Sequence, residues 1–168
     1  GGVALAYILC DFYSRSLGKD TVIHMIFPEY GQIGKKKIKI CTLLHGQSQD
    51  ASFWIRRTNI EQIAGEENMA VIMPEAARSF FVQMPNERNF QKFLREELPE
   101  FLDHTFPFLS KNPEDYMIAS SEKSCAGRMK DIVSEGCSYY GRWSCLPRDF
   151  TDADLRFLMS GTEIHEDG

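Results

Sequence analysis

The run Ile38-Lys39-Ile40-Cys41-Thr42-Leu43-Leu44-His45-Gly46 is an apolar strand that ends in a His-Gly turn and passes into a polar loop. A turn of this kind can build half of an anion-binding pocket. A glycine just past a strand end lets the backbone approach a ligand, and N–H groups near Gly46 and Gln47 could hold a developing negative oxygen. Such chemistry needs a nucleophile at the end of a second strand. The segment placed to supply one is Asp115-Tyr116-Met117-Ile118-Ala119-Ser120-Ser121-Glu122-Lys123-Ser124, a strand pattern followed by polar residues without a glycine.

One domain over residues 1–168 must position these groups, since 168 residues leave no room for two full cores. With 43% hydrophobic and 26% charged residues the chain reads as globular rather than disordered. A net charge of -5 argues against a nucleic-acid partner, which would need a basic face. The run Lys35-Lys36-Lys37 reads as a solvated turn. Five cysteines, at 10, 41, 125, 137 and 145, form no close pair, which fits reduced thiols and a cytoplasmic location. The apolar run at residues 3–10 is too short to span a bilayer, so neither a membrane anchor nor export is expected.

Period and turn chemistry predict the positioning elements. Val3–Tyr13 and Thr21–Phe27 read as two antiparallel strands joined by a polar loop containing Gly18. Ile38–Leu44 is a nearly continuous apolar run of the kind buried on both faces, and Met69–Met73 is another. Thr58-Asn59-Ile60-Glu61 has the form of a capping box for a short helix. Phe90, Phe93, Leu94, Leu98, Phe101 and Leu102 make a helical stripe in which Pro99 predicts a kink or break. Asp115–Ala119 reads as a strand, Ser124–Ser134 as a helix and Arg156–Met159 as a final short strand. Ser134–Asp154 lacks a clear period and reads as loop with room for one short element. Strands alternating with helices after an initial hairpin imply an α/β fold with a mostly parallel sheet and flanking helices.

Several motifs together resemble a family. They are Phe12-Tyr13-Ser14 with Leu17-Gly18, Leu43-Leu44-His45-Gly46, Trp54-Ile55-Arg56-Arg57-Thr58-Asn59-Ile60-Glu61, Val71-Ile72-Met73-Pro74-Glu75, Arg78-Ser79-Phe80-Phe81 and Glu96-Glu97-Leu98-Pro99. The chain resembles the small bacterial esterases of the α/β-hydrolase fold, the tributyrin esterase group related to esterase D and S-formylglutathione hydrolase. The likeness runs over residues 6–119. It implies hydrolysis of short acyl esters by a serine, histidine and aspartate triad, with no metal or cofactor, and an oxyanion pocket near His45, Gly46 and Gln47. Arg78 and Phe80, after a strand end, would line the acyl pocket.

The family's serine stands in a Gly-x-Ser-x-Gly elbow. Laid along Met117-Ile118-Ala119 without gaps, its position falls on Glu122, and Ser120 and Ser124 replace the two glycines. A carboxylate there would form an anhydride on attack and would repel the oxyanion. A slip of one residue offers Ser121 instead. Two registers compete downstream. In one, Leu158-Met159-Ser160-Gly161-Thr162-Glu163 matches the strand before the family's aspartate, Ile164 takes that aspartate's place, and the chain stops before the histidine loop. In the other, His165 is the catalytic histidine, oriented by Asp152 or Asp154.

Two functions follow from the resemblance. One is an esterase using Ser121, His165 and Asp152 on a small-molecule ester. The other is a decayed or truncated member with at most a binding role. The hydrolase sheet is expected to be incomplete at its C-terminal end, and an uncovered edge there would favour a homo-oligomer.

Overall fold

The computed structural model describes residues 6–28, 37–46, 48–76, 87–121, 129–130, 132–133 and 139–160. Among them six strands form one sheet in the order β1-β2-β4-β3-β5-β6. These are β1 (Ala6–Ser14), β2 (Lys19–Phe27), β3 (Ile40–Leu44), β4 (Ala70–Pro74), β5 (Tyr116–Ser120) and β6 (Arg142–Cys145). β1 and β2 are an antiparallel hairpin, and β2 pairs antiparallel with β4. β4, β3, β5 and β6 run parallel. This is the mostly parallel sheet with an N-terminal hairpin that the sequence implies.

β3, β4 and β5 are buried at every residue, as continuous apolar runs covered on both faces must be. Successive side chains point to opposite faces, and two cores result. On one face Cys41, Leu43, Val71, Met73, Met117 and Ala119 pack against α1 (Phe53–Arg57) and α2 (Ile60–Glu67). The other face carries Ile40, Ile72, Tyr116 and Ile118 against Phe90, Phe93, Leu94, Leu98 and Leu102 of the long helical stripe. Cys41 is a free thiol whose pKa burial pushes up to about 12, so it serves as a small apolar side chain.

That stripe spans α3 (Glu87–Lys92), a π-helical turn (Phe93–Glu97) and α4 (Leu98–Thr105). Pro99 does not break it. The Leu98 N–H donates to the Phe93 carbonyl five residues back, so a new helix starts at Leu98 and Pro99 falls in its first turn, where no N–H is needed. The π turn brings Glu97 to the β1–β2 loop. Its carboxylate accepts the Arg15 and Ser16 N–H groups at 2.9 and 2.7 Å.

The short element allowed for within residues 134–154 is β6, entered at Gly141, whose N–H donates to the Tyr116 carbonyl at 3.1 Å. Two expectations are corrected. Arg156–Met159 is not a strand but part of α5 (Asp152–Met159), because Leu155, Leu158 and Met159 follow helical spacing and bury against the α2 face. Thr58 does not cap α2 in the expected box: its hydroxyl donates to the Trp54 carbonyl at 2.5 Å, and the N-cap is Asn59. Of the helix expected over Ser124–Ser134, only Met129, Lys130, Ile132 and Val133 are described, the first three helical.

The cysteines are mixed. Cys10 and Cys41 are free, whereas Cys145 is disulfide-bonded, against the expectation of reduced thiols.

Gly141 tests the entry to β6. A Cβ there would meet the Pro113 carbonyl oxygen at 2.3 Å, and both are backbone-fixed. Gly141→Ala is expected to cost about 1–3 kcal/mol by urea denaturation. A variant as stable as the parent would show that the Pro113 turn shifts freely.

Glu97 tests the hairpin anchor. Burial pushes its carboxyl up, but hydrogen bonds from Ser16, Ser14 and Arg15 outweigh that and hold its pKa below the ordinary value. A depressed carboxyl stabilises above its unfolded pKa, and that contribution fades as pH falls through the folded value. Glu97→Gln is therefore expected to lower Tm at neutral pH, with the difference from wild type closing below about pH 4. A difference that stays constant down to acid pH would show that the charge plays no part.

Candidate active site

The parallel register of β3 and β5 sets the site. Leu44 lies opposite Ser120, so the two chains leave the sheet side by side, one into His45-Gly46 and the other into Ser121. Ligand sites of open α/β sheets lie at such carboxyl ends of strands. Ser121 is buried and shares a cleft of about 160 Å³ with Gly46, Gln49, Phe53, Arg148 and Phe150. The cleft thus holds a hydroxyl, a turn backbone, two aromatic rings and a guanidinium. Phe53 and Phe150 meet edge to face at 6.4 Å between centroids.

His45 is buried, and its ring holds the turn. The Ala76 N–H donates to Nε2 at 2.9 Å, which requires that nitrogen to be bare, so the proton sits on Nδ1 and is given to the Gly46 carbonyl at 2.8 Å. Glu75 Oε1 also lies 3.1 Å from Nε2, as in an ion pair, but a protonated Nε2 would oppose the Ala76 N–H. The backbone donor decides for the Nδ1 tautomer. Glu75 has a firm partner elsewhere, with Oε2 accepting the Ala51 N–H at 2.8 Å. Together these bonds clamp the end of β3 to the end of β4 and to the approach of α1.

The Gly46 N–H points at a side chain of the same loop. It donates to Gln49 Oε1 at 2.6 Å, and the Gln49 N–H returns to the Gly46 carbonyl at 3.1 Å. A carboxamide oxygen therefore takes the hydrogen bond that an oxyanion would take from this amide.

Asp152 opens α5, and its carboxylate accepts the Asn59 side-chain amide at 2.6 Å, which ties α5 to the start of α2. Asp154 turns back to accept the Thr151 N–H at 2.8 Å. Gln47, Arg78, Phe80, Glu122 and His165 lie outside the described residues. The described imidazoles are engaged elsewhere: His24 with the Tyr7 hydroxyl, His45 in its clamp, and His104 with the Glu100 carbonyl. Gln49, Phe53, Arg148 and Phe150 are additions to the predicted site. Only recognition of β6 would have brought Arg148 and Phe150 to the end of the sheet.

A second cavity of about 460 Å³ adjoins the first across Ser48, Gln49 and Phe53, and carries Asp50, Arg56 and Arg57. The Ser52 hydroxyl, hydrogen-bonded to Asp50, holds that carboxyl below its usual pKa, and the Ser52 N–H adds to the effect. A cavity of about 490 Å³ between the end of β1 and α3–α4 shares no lining residue with the Ser121 cleft, and its Glu97 is already committed to the hairpin. Among the described residues no three His, Cys, Asp or Glu side chains are grouped to hold a metal ion, and no helix is long and apolar enough to cross a membrane.

Solved structures share this architecture. The S-formylglutathione hydrolase FrmB of Staphylococcus aureus superposes with a TM-score of 0.69 at 29% identity, over 81% of this chain and 55% of its own. The S. aureus fluorophosphonate-binding serine hydrolase FphF gives 0.69 and 29%, over 83% of this chain and 55% of its own. An S-formylglutathione hydrolase of Agrobacterium tumefaciens gives 0.67 at 12% identity, over 86% and 61%. The chain thus spans little more than half the length of these structures. No protein-family model matches the sequence, and no curated protein does.

If Gln49 is what satisfies the Gly46 amide, Gln49→Ala should speed hydrogen exchange at Gly46 about tenfold, read by amide NMR. An unchanged rate would mean that another group protects it.

Proposed function

We propose that the chain is a member of the α/β-hydrolase esterases whose solved structures it resembles, that the Ser121 cleft binds short carboxylic esters, and that their hydrolysis is lost or strongly impaired. The observation that carries the reading is the meeting of Ser121 and Gly46 in one small cleft at the ends of β3 and β5. Phe53 and Phe150 give that cleft an apolar wall suited to a short acyl chain.

The reading of impairment is supported by where the described groups are spent. In the gapless register the nucleophile position is Glu122, whose charge would oppose an oxyanion. Ser121 needs a base to take its proton, and such a base is worth about 10²–10⁴-fold. His45 has both ring nitrogens in its clamp, and Asp152 holds Asn59. The Gly46 amide is occupied by Gln49. A serine so placed can line a binding site without attacking the ester.

The test is p-nitrophenol release from the acetate and butyrate esters by wild type and Ser121→Ala, with methyl butyrate binding followed by NMR shift changes at residues around the cleft. Equal background release in both proteins, together with saturable binding at the cleft, is the expected result. A burst or steady turnover that disappears in Ser121→Ala would overturn the loss of hydrolysis. Absence of binding at the cleft would overturn the ester site.

A further inference from the structure

We propose that the Ser121 cleft selects esters that carry a carboxylate, and that Arg148 is the residue that holds it. The inference rests on the ester-site reading above and names the substrate class of that site. The chain as a whole is acidic, with a net charge of -5. Among the described residues the two adjoining cavities have the opposite balance: their walls carry Arg56, Arg57 and Arg148 against one acid, Asp50. Asp50 is itself engaged, accepting the Ser52 N–H at 2.9 Å and the Ser52 hydroxyl at 2.5 Å on one oxygen.

Arg148 is the arginine that lines the same cleft as Ser121. Among the described residues it has no carboxylate partner, unlike Arg156, which pairs with Glu66 at 3.2 Å. A guanidinium presents a planar fork of donors that matches a carboxylate, while the Phe53 and Phe150 rings offer apolar contact to the carbons between that carboxylate and the ester. The cleft's 160 Å³ equals about five water volumes, so the spacer is short. Arg148 is exposed, so water and salt compete with the ligand. The selectivity is modest and falls as ionic strength rises.

The experiment uses the Ser121→Ala protein, so that turnover plays no part, and compares monomethyl succinate with neutral methyl butyrate by NMR titration. The half-ester is expected to bind about tenfold tighter at low salt. That advantage should vanish in Arg148→Ala, survive in part in Arg148→Lys and shrink at high salt. Equal affinity for the two ligands, or an advantage that Arg148→Ala leaves intact, overturns the proposal while the ester site stands. Failure of both ligands to bind removes the ester site and this inference with it.

Discussion

The pairing of β3 with β5 is the constraint from which the site follows. Five residue pairs, from Ile40–Tyr116 to Leu44–Ser120, hold the two strands in parallel. Because side chains alternate between faces, a slip of one residue would exchange the two cores and turn Ser121 away from Gly46. Such a slip is opposed on both sides. Leu43 and Ala119 belong to the α1–α2–α5 core, while Ile40, Tyr116 and Ile118 belong to the α3–α4 core, and each buried aliphatic side chain contributes about 1.5–3 kcal/mol. The cleft is therefore held by packing remote from it.

The polar groups around the cleft act as fasteners of that frame. His45 and Glu75 join the ends of β3 and β4 and the approach to α1, Asp152 joins α5 to α2 through Asn59, and Tyr140 reaches from the entry of β6 to the Leu94 carbonyl at 2.9 Å. Imidazole and carboxylate are the residue types that a hydrolase would use for proton transfer. Here His45 and Glu75 position backbone, and Asp152 positions a side-chain amide.

The central strands and the helical stripe were legible because their signal is dense. Ile38–Leu44 and Met69–Met73 are continuous apolar runs, and Phe90 to Leu102 keep a helical period across Pro99. The two elements with the weakest signal are short. Arg142–Cys145 offers four residues of mixed polarity, and its burial comes from pairing with β5 rather than from its own pattern. Phe157-Leu158-Met159 suggested a strand by composition, whereas the spacing of Leu155, Leu158 and Met159 was the better guide. The His-Gly turn was legible as a motif, but the Gln49 carboxamide on the Gly46 amide was not, since its role depends on how the loop closes. Arg148 and Phe150 reach the cleft only through β6, so missing the strand meant missing them. The disulfide at Cys145 was equally hidden, because spacing along the chain carries no pairing information.

A scaffold of this kind can outlast its chemistry because the two draw on different residues. The strands and helices bury their apolar faces whatever stands at the strand ends, while catalysis depends on a few side chains and amides placed in the loops beyond them. A glycine elbow holds its serine in a strained turn, and in the gapless register Ser120, Glu122 and Ser124 stand at its positions in this sequence. Ser120 lies fully buried in β5, opposite Leu44 and Cys145, so the position next to the cleft is filled as a strand residue. Selection on an active serine would resist these replacements, and selection on the fold would not. In the described cleft the Phe53 and Phe150 rings and the Arg148 guanidinium stand beside Ser121, while the Gly46 amide is held by Gln49, so the wall of the cleft and its amide are set by different residues.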